Sequence, residues 1–418
     1  MLFCGVRLNW SLRIRCELRQ ASRAMKKPKK AKHWGDATVA LHAGENRVRV
    51  GGPVGISIAR TSNFTFESTE EMRRVGEGKS SAYIYTRHGN PTLAIAEEKI
   101  AALEGAEAAV VTSSGSAAIS SALLAILKSG DEVIATRQLY GGSYVLMRDI
   151  LPRYGIVIRY VDTDMQGMER MVNPRTKVLY VETPTNPALR LVDLRKAAAF
   201  AKEWDLISMV DSTFGSPALQ KPLKVGFNLV LHSASKYLAG HSDVIAGVVA
   251  GSAGLIRQVR QSVVNLGGSM DPEAAFLLIR GLKTLDLRMR RQCESAMKVA
   301  KFLAQHRKIA RVHYPGLASH PDHALAKRQM QGFGGMLAFD MKGGVAAARR
   351  FCDRVEVFLL AASLGGVESL VVLPIFTSHT KMSAEELRAA GVAPGTIRMS
   401  VGIENPEDLI EDLRQALA

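Results

Sequence analysis

The sequence predicts an α/β fold: a mostly parallel central sheet, followed by a smaller α+β unit. Three observations carry this expectation. Short apolar runs recur at residues 108–112, 132–135, 156–161, 178–181, 207–210, 229–231 and 244–250, with helical stretches between them. Strands that alternate with helices build a layered, largely parallel sheet. After about residue 287 the pattern changes to long basic helices, then to strand-like runs at 334–341, 370–373 and 396–400. Finally, several apolar runs end in small polar residues or one isolated charge, and open sheets of this kind bind ligands at the carboxyl ends of their strands. At 418 residues and 47% apolar content the chain can build two or three cores.

Four segments follow. Residues 1–32 hold ten basic residues against one acid, Glu17. They read as a basic, disordered tail, either a transit-type leader or sequence upstream of a start at Met25. Residues 33–89 are broken by Gly51, Gly52 and Pro53 and read as an N-terminal arm. Residues 90–287 form the large α/β domain and residues 288–418 the small domain.

The arm ends in Tyr85-Thr-Arg-His-Gly-Asn-Pro-Thr92. Asn90 suits a helix cap and Pro91 a first turn. Arg87 and Tyr85 precede that turn; a guanidinium and a phenol there suit a phosphate, or are simply surface groups. The run 108–112 leads into Ser113-Ser-Gly-Ser116 and a helix over 117–127. Amides at such a helix start attract anions, and Gly115 allows a phosphate close approach. Tyr140 precedes Gly141-Gly142, where its ring either stacks on a flat ligand or packs. Asp211 ends the run 207–210; its carboxylate either pairs with a ring nitrogen or caps a helix.

Lys236 follows the run 229–231 and the hydroxyls of Ser233 and Ser235. Desolvation at a buried strand end disfavours the ammonium and makes the amine nucleophilic. A lysine flanked by hydroxyls suits a Schiff base to pyridoxal phosphate (PLP), with the serines on the phosphate, or is a surface lysine in a Ser-rich loop. Positions 280–291 form a strongly basic helical run, most of it solvated. Arg398 stands alone on an apolar strand, where a buried cation needs a partner, either a substrate carboxylate or a structural acid.

Net charge is +16, but more than half of the excess lies in residues 1–32. No aromatic-interleaved basic motif of the RNA-binding kind is present, so the folded part is not expected to bind nucleic acid. Cys4, Cys16, Cys293 and Cys352 have no C-x-x-C spacing, so neither a disulfide framework nor a metal site is expected, and a cytoplasmic setting is. No apolar run reaches the roughly 18 residues needed to span a bilayer, so no membrane partner is expected.

Eight segments together resemble the PLP-dependent trans-sulfuration, or Cys/Met metabolism, family. They are Y-x-R-x-G-N-P-T at 85–92, S-S-G-S at 113–116, Y-G-G-S at 140–143, E-T-P-T-N-P at 182–187, V-D-S-T-F at 210–214, H-S-A-S-K-Y-L-A-G-H-S-D at 232–243, S-L-G-G-V-E-S-L at 363–370 and R-M-S-V-G-I-E at 398–404. The resemblance runs from about Thr38 to the C-terminus and implies the aspartate aminotransferase-like PLP-dependent transferase fold (fold type I).

It also implies roles. Lys236 forms the Schiff base and shuttles the α-proton. Asp211 pairs with the pyridine nitrogen, and Tyr140 stacks on the ring and assists proton transfer or leaving-group departure. Gly115, Ser116, Ser233 and Ser235 hold the phosphate. Tyr85 and Arg87 complete the neighbouring subunit's site, so a homodimer or homotetramer is implied. Asn186, Ser363 and Arg398 fix the carboxylate of a small amino-acid substrate.

The implied chemistry is γ-elimination or γ-replacement on homocysteine- or homoserine-derived amino acids. The lyases for cystathionine or methionine lead; cystathionine γ-synthase or an O-acylhomoserine sulfhydrylase is the alternative. Three positions where cystathionine γ-lyases carry charges match Ile84, Val145 and Ala362 here, which suits an apolar distal pocket. Ser212 stands where the family usually has Asn, and Gly142 where methionine γ-lyases usually have Cys.

Overall fold

The computed structural model describes residues 34–45, 52–378, 380, 383–389 and 391–418. The expected tail, residues 1–32, lies outside the described residues. The architecture below is that of the unit Asp36–Ala418.

The arm holds helices α1 (Asp36–His42) and α2 (Thr69–Gly76), although its sequence shows no long periodic segment. Helix α3 (Pro91–Glu104) begins where the sequence places a cap: the Asn90 side chain accepts from Thr92 N at 2.9 Å, and Gly105, at φ 72°, closes the helix.

The large sheet has seven strands: β1 (Ala108–Thr112), β2 (Glu132–Thr136), β3 (Val157–Val161), β4 (Thr176–Glu182), β5 (Ile207–Asp211), β6 (Leu229–Ser233) and β7 (Gly247–Gly251). Their spatial order is β1-β7-β6-β5-β4-β2-β3. The pairs from β3 across to β6 are parallel, and β7 runs antiparallel to both its neighbours. Both faces are covered. Ile134, Leu179, Val181, Val210 and Val230 enter one core, whereas Val133, Ala135, Val178, Met209 and Leu231 enter the other. Burial on both faces is why these strands read as unbroken apolar runs.

The connecting helices are α4 (Gly115–Ile126), α5 (Gly141–Val145), α6 (Leu194–Glu203), α7 (Ser216–Leu219), α8 (Ala253–Leu266) and α9 (Pro272–Leu282). Helix α4 begins two residues before the expected start, because Ser114 caps it by accepting from Ala117 N at 3.1 Å.

Helix α10 (Leu285–Gln305) bridges the two halves of the molecule. Leu285 and Met289 pack in the large-sheet core; Val299 and Leu303 pack in the core of a second sheet. That sheet contains β8 (Ile309–His313), β9 (Met336–Met341), β10 (Leu359–Leu360), β11 (Leu370–Val372) and β12 (Thr396–Ser400), ordered β10-β11-β12-β9-β8 and mostly antiparallel. Helices α11 (His323–Gln329), α12 (Gly344–Cys352), α13 (Ala384–Ala389) and α14 (Pro406–Leu417) complete the chain. The basic stretch 280–291 is not one helix. It breaks between α9 and α10, and it hides one arginine, Arg288, in the interior.

Candidate active site

The carboxyl ends of β4, β5 and β6 converge. Glu182 and Asp211 are the last residues of β4 and β5 and stand opposite each other in register. Asp211 is only 6% exposed, and Thr213 donates to its Oδ1 from both N (3.0 Å) and Oγ1 (2.6 Å). The same threonine hydroxyl accepts from Ser233 N at 2.8 Å, which ties the end of β6 to that carboxylate. Asp211 is therefore no cap of α7, which starts later at Ser216. Burial raises its carboxyl above the usual range, opposed by the Thr213 hydrogen bonds and by His232 nearby. His232 is itself held by the buried Glu104 at 2.6 Å.

Lys236 lies three residues beyond β6 and is half-buried. Its Nζ donates to Ser363 Oγ at 2.7 Å. Burial, and then the positive charge of Arg398, lower the amine from 10.5 to about 8. Ser363 has a φ of 93°, which a side chain rarely adopts. That conformation lets it face both ways: its hydroxyl takes Lys236, and its carbonyl accepts from Arg398 Nη2 at 2.8 Å.

Arg398, on β12, is 5% exposed and donates from Nη1 to Asn186 Oδ1 at 3.2 Å. No carboxylate among the described residues pairs with it, and burial lowers the guanidinium to about 10. The structure thus brings Asn186, Ser363, Arg398 and Lys236 together across the two sheets, from positions far apart in the chain.

Tyr140 is 45% exposed. Its backbone N–H donates to Glu182 Oε2 at 2.6 Å. Burial, and then the Asp211 charge, push the Glu182 carboxyl well above the ordinary range. Glu182 belongs to the E-T-P-T-N-P segment, yet the sequence alone assigned it no role; its register with Asp211 is the signal that marks it. The Tyr140 ring folds over Gly142, where an added Cβ would lie 2.5 Å from its Cε1.

Gly115 and Ser116 occupy the first turn of α4, where helical N–H groups lack intrahelical partners. A Cβ on Gly115 would sit 2.8 Å from that of Ser233, so the helix start and the end of β6 lie back to back. Ser116 and Tyr140 line a cavity of about 570 Å³ whose walls include Ile119, Val145 and Leu146. Ala362 lines a separate cavity of about 260 Å³, and Ile84 is exposed. The Ser235 hydroxyl is engaged with Ala246, donating to its O (3.3 Å) and accepting from its N (2.8 Å). Ser212 points inward and accepts from Gln220 Nε2 at 2.8 Å.

Tyr85 and Arg87 stand apart from this cluster. Arg87 lies over the Tyr85 ring, donates to Val264 O at 3.1 Å and accepts from Ser269 through its carbonyl. Among the described residues no hydrogen bond or ion pair joins either of them to Lys236, Asp211 or Arg398.

The donor set fits PLP. It offers an amine with a lowered pKa, a buried carboxylate at a strand end for a ring nitrogen, and a side-chain-free helix start against a serine for a phosphate. Among the described residues no His/Cys/Asp/Glu cluster could hold a metal, and no helix is long and apolar enough to cross a membrane.

The model of the Cys/Met metabolism PLP-dependent enzymes matches residues 37–418. The L-methionine gamma-lyase of Fusobacterium nucleatum subsp. polymorphum is 44% identical over 390 residues, covering 92% of this chain and 98% of its own. The chloroplastic cystathionine gamma-synthase 1 of Arabidopsis thaliana is 39% identical, covering 91% of this chain and 69% of its own. Among solved structures, cystathionine gamma synthase from Xanthomonas oryzae pv. oryzae aligns with a TM-score of 0.87 at 42% identity, over 92% of this chain and 98% of that one. A putative O-acetylhomoserine (thiol)-lyase from Campylobacter jejuni, which carries N'-pyridoxyl-lysine-5'-monophosphate, aligns at 0.89 and 32%, over 92% and 100%. The fold is that of these type I PLP-dependent enzymes, whose substrates are small amino acids. With nearly its whole length matched, the chain belongs to the Cys/Met metabolism family of PLP-dependent enzymes.

Proposed function

We propose that this enzyme is a carbon–sulfur lyase that performs γ-elimination on a methionine- or cystathionine-type amino acid, consuming one water and releasing a thiol, 2-oxobutyrate and ammonia. One observation carries the reading. A buried guanidinium without a carboxylate partner among the described residues, Arg398, connects through Ser363 to the half-buried amine of Lys236. An amino acid held by its carboxylate at Arg398 and Asn186 presents its Cα within reach of that amine.

When bound, PLP supplies the electron sink for charge developing at Cα. The protein's own part is positional and electrostatic. Arg398 and Asn186 bind the substrate carboxylate. Lys236 takes the Cα proton and carries protons between carbons, with Ser363 holding the amine in place. Asp211 keeps a proton on the ring nitrogen, and Glu182 anchors the backbone of Tyr140, whose ring stacks and assists departure of the γ-substituent. Gly115, Ser116 and Ser233 receive the phosphate, and Ser235 joins them by turning its hydroxyl proton away from Ala246 O. Tyr85 and Arg87 reach the phosphate of a neighbouring subunit in a homodimer or homotetramer; their separation from Lys236 within one chain supports this. The two described cysteines, Cys293 and Cys352, are free thiols, in keeping with a cytoplasmic setting.

The apolar wall formed by Ile119, Val145 and Leu146 beside Tyr140 favours an apolar thioether. γ-Replacement of the cystathionine γ-synthase or sulfhydrylase kind is the second reading, favoured by similarity to the Xanthomonas enzyme. The test is 2-oxobutyrate release from L-methionine and L-cystathionine side by side, with Lys236→Ala as control. Faster release from methionine, abolished in the variant, is expected. Release from neither substrate, with turnover of an acylated homoserine and a thiol, would establish replacement instead.

A further inference from the structure

Of the buried polar side chains of helix α10, Arg288 and Gln292 stand one turn apart. Arg288 is 4% exposed and Gln292 is fully buried. Arg288 spends its guanidinium on neutral oxygens. Nη1 donates to Tyr237 O at 2.8 Å, Nη2 to Gly281 O at 2.8 Å and Leu238 O at 3.4 Å, and Nε to Thr284 Oγ1 at 3.0 Å. No carboxylate pairs with it among the described residues, and burial lowers it to about 10. An interior cation without an anion is costly, so its neutral partners identify what it organises. Two of them, Tyr237 O and Leu238 O, belong to the turn immediately after Lys236.

The fit is close. At Gly240, with φ 73°, a Cβ would lie 2.0 Å from Arg288 Nη1, and at Gly281 it would lie 2.0 Å from Ala239 O. Gln292 reaches the other side of the site, donating from Nε2 to Gly366 O at 2.7 Å. Gly366 belongs to the loop that carries Ser363. The two loops also touch each other, since a Cβ on Gly365 would sit 2.7 Å from Tyr237 N. Helix α10, anchored in both cores, is the rigid element common to them.

We propose that Arg288 and Gln292 are positioning residues: from one buried face of α10 they hold the turn after Lys236 and the loop of Ser363 in mutual register. The contacts so fixed are Lys236 Nζ to Ser363 Oγ and Ser363 O to Arg398. The inference rests on the reading of Lys236 as the proton-moving amine. Neither residue meets the substrate; each acts through a loop.

The test uses the full-length, cofactor-loaded enzyme with Gln292→Met and Arg288→Lys, and Arg290→Gln as control, because Arg290 is exposed on the same helix. The first readout is amide hydrogen exchange without substrate. Each substitution removes donors to one loop only, yet each is expected to speed exchange about tenfold in both 236–240 and 363–366, with the control unchanged. The second readout is α-proton exchange into D2O from L-norvaline, which has no γ leaving group and so does not depend on elimination or replacement.

At saturating norvaline, the rate per cofactor-loaded chain is expected to fall about tenfold in each variant, and in the double variant no further than in the worse single one. Loosening confined to the loop each substitution touches, or α-proton exchange within about twofold of wild type, overturns the proposal. If wild type itself exchanges no α-proton, the reading of Lys236 falls, and this inference with it. Wild-type exchange that both variants keep refutes the positioning role alone. Should Arg288→Lys fail to fold, Gln292→Met carries both readouts.

Discussion

Replacing Arg398 by leucine, and following the enzyme from pH 6 to 10, separates two jobs of one side chain. Lys236 sits at about 8 because of burial first and the Arg398 charge second. At that value about one tenth of the amine is neutral at pH 7, against about one in three thousand for an ordinary lysine. A base must be neutral to take a proton, so activity grows with pH. The kcat reports groups in the substrate-bound enzyme, and a carboxylate on Arg398 offsets the charge that helps lower the amine, so kcat should climb about tenfold per pH unit up to at least 8 and level off above that.

Arg398→Leu removes a like charge from beside the amine, which favours the ammonium, so the rising limb shifts to higher pH. Burial, the larger cause, remains, so the limb stays short of 10.5. The same substitution removes a charge-assisted contact to the substrate carboxylate, worth about 1.5–3 kcal/mol, or roughly 10- to 150-fold in KM. The assay is initial 2-oxobutyrate release, with kcat and KM resolved at each pH. A wild-type kcat that is flat between pH 6 and 9, or a limb that Arg398→Leu leaves in place or moves down, would refute the reasoning.

Gly115→Ala places a Cβ 2.8 Å from that of Ser233, so the phosphate cradle must open; cofactor affinity, followed by visible absorbance, is expected to weaken about tenfold. If Tyr85 and Arg87 complete a neighbour's site, Arg87→Ala and Lys236→Ala chains, each inactive alone, should regain about a quarter of wild-type activity when co-assembled, because one site in each hybrid dimer is intact. No recovery would place Arg87 in its own subunit's chemistry. Asp412 accepts from the N–H groups of Glu356, Val357 and Phe358 at 2.7, 2.9 and 2.9 Å. Asp412→Ala leaves the buried Phe358 donor unpaired and gives the Glu356 and Val357 donors to water, and should cost about 2 kcal/mol, read as a lowered denaturation midpoint with little change in the KM of folded enzyme.

The large sheet was legible in the sequence because strands buried on both faces write themselves as continuous apolar runs. The second sheet was less so. Strand β8 carries Arg311 within a run exposed at two positions, and β10 is only Leu359–Leu360, too short for any period to show. Of the seven runs, 244–250 was placed too early: the strand begins at Gly247, and Val244 and Ile245 lie in the preceding loop.

At the site, Lys236, Asp211 and Arg398 were legible because each is a single charge at the end of, or within, an apolar segment. What joins them was not. The Lys236–Ser363 hydrogen bond spans 127 residues, and no local pattern encodes it. Arg288 was hidden for a different reason. In a stretch that also holds Arg280, Arg290 and Arg291, charge density suggests solvent. Counting the helical period from Leu285 puts Arg288, Met289 and Gln292 on one inward face, and that count needs the helix break near Lys283 to be known first.

The electrostatics of the site argue that stability and function oppose each other here. Lys236 stands near Arg398, two cations at one end of the cluster; Glu182 stands beside Asp211, two carboxyl groups at the other. Each pair is partly withdrawn from water, so keeping both members charged raises the energy of the folded protein, and the raised Glu182 carboxyl and lowered Lys236 amine record that cost. On the proposed reading a substrate carboxylate would relieve the first pair, and a protonated ring nitrogen the second. Binding energy is thus available at both ends of the site, and the protein–ligand complex should be the more stable species by mass action. The same reasoning explains why the supports of the cluster are neutral hydrogen bonds. Thr213 on Asp211, the Tyr140 amide on Glu182 and the Ser363 carbonyl on Arg398 fix the geometry without cancelling the charge. A salt-bridge partner for Arg398 would stabilise the fold, and it would occupy the guanidinium that the proposed reading reserves for a substrate carboxylate.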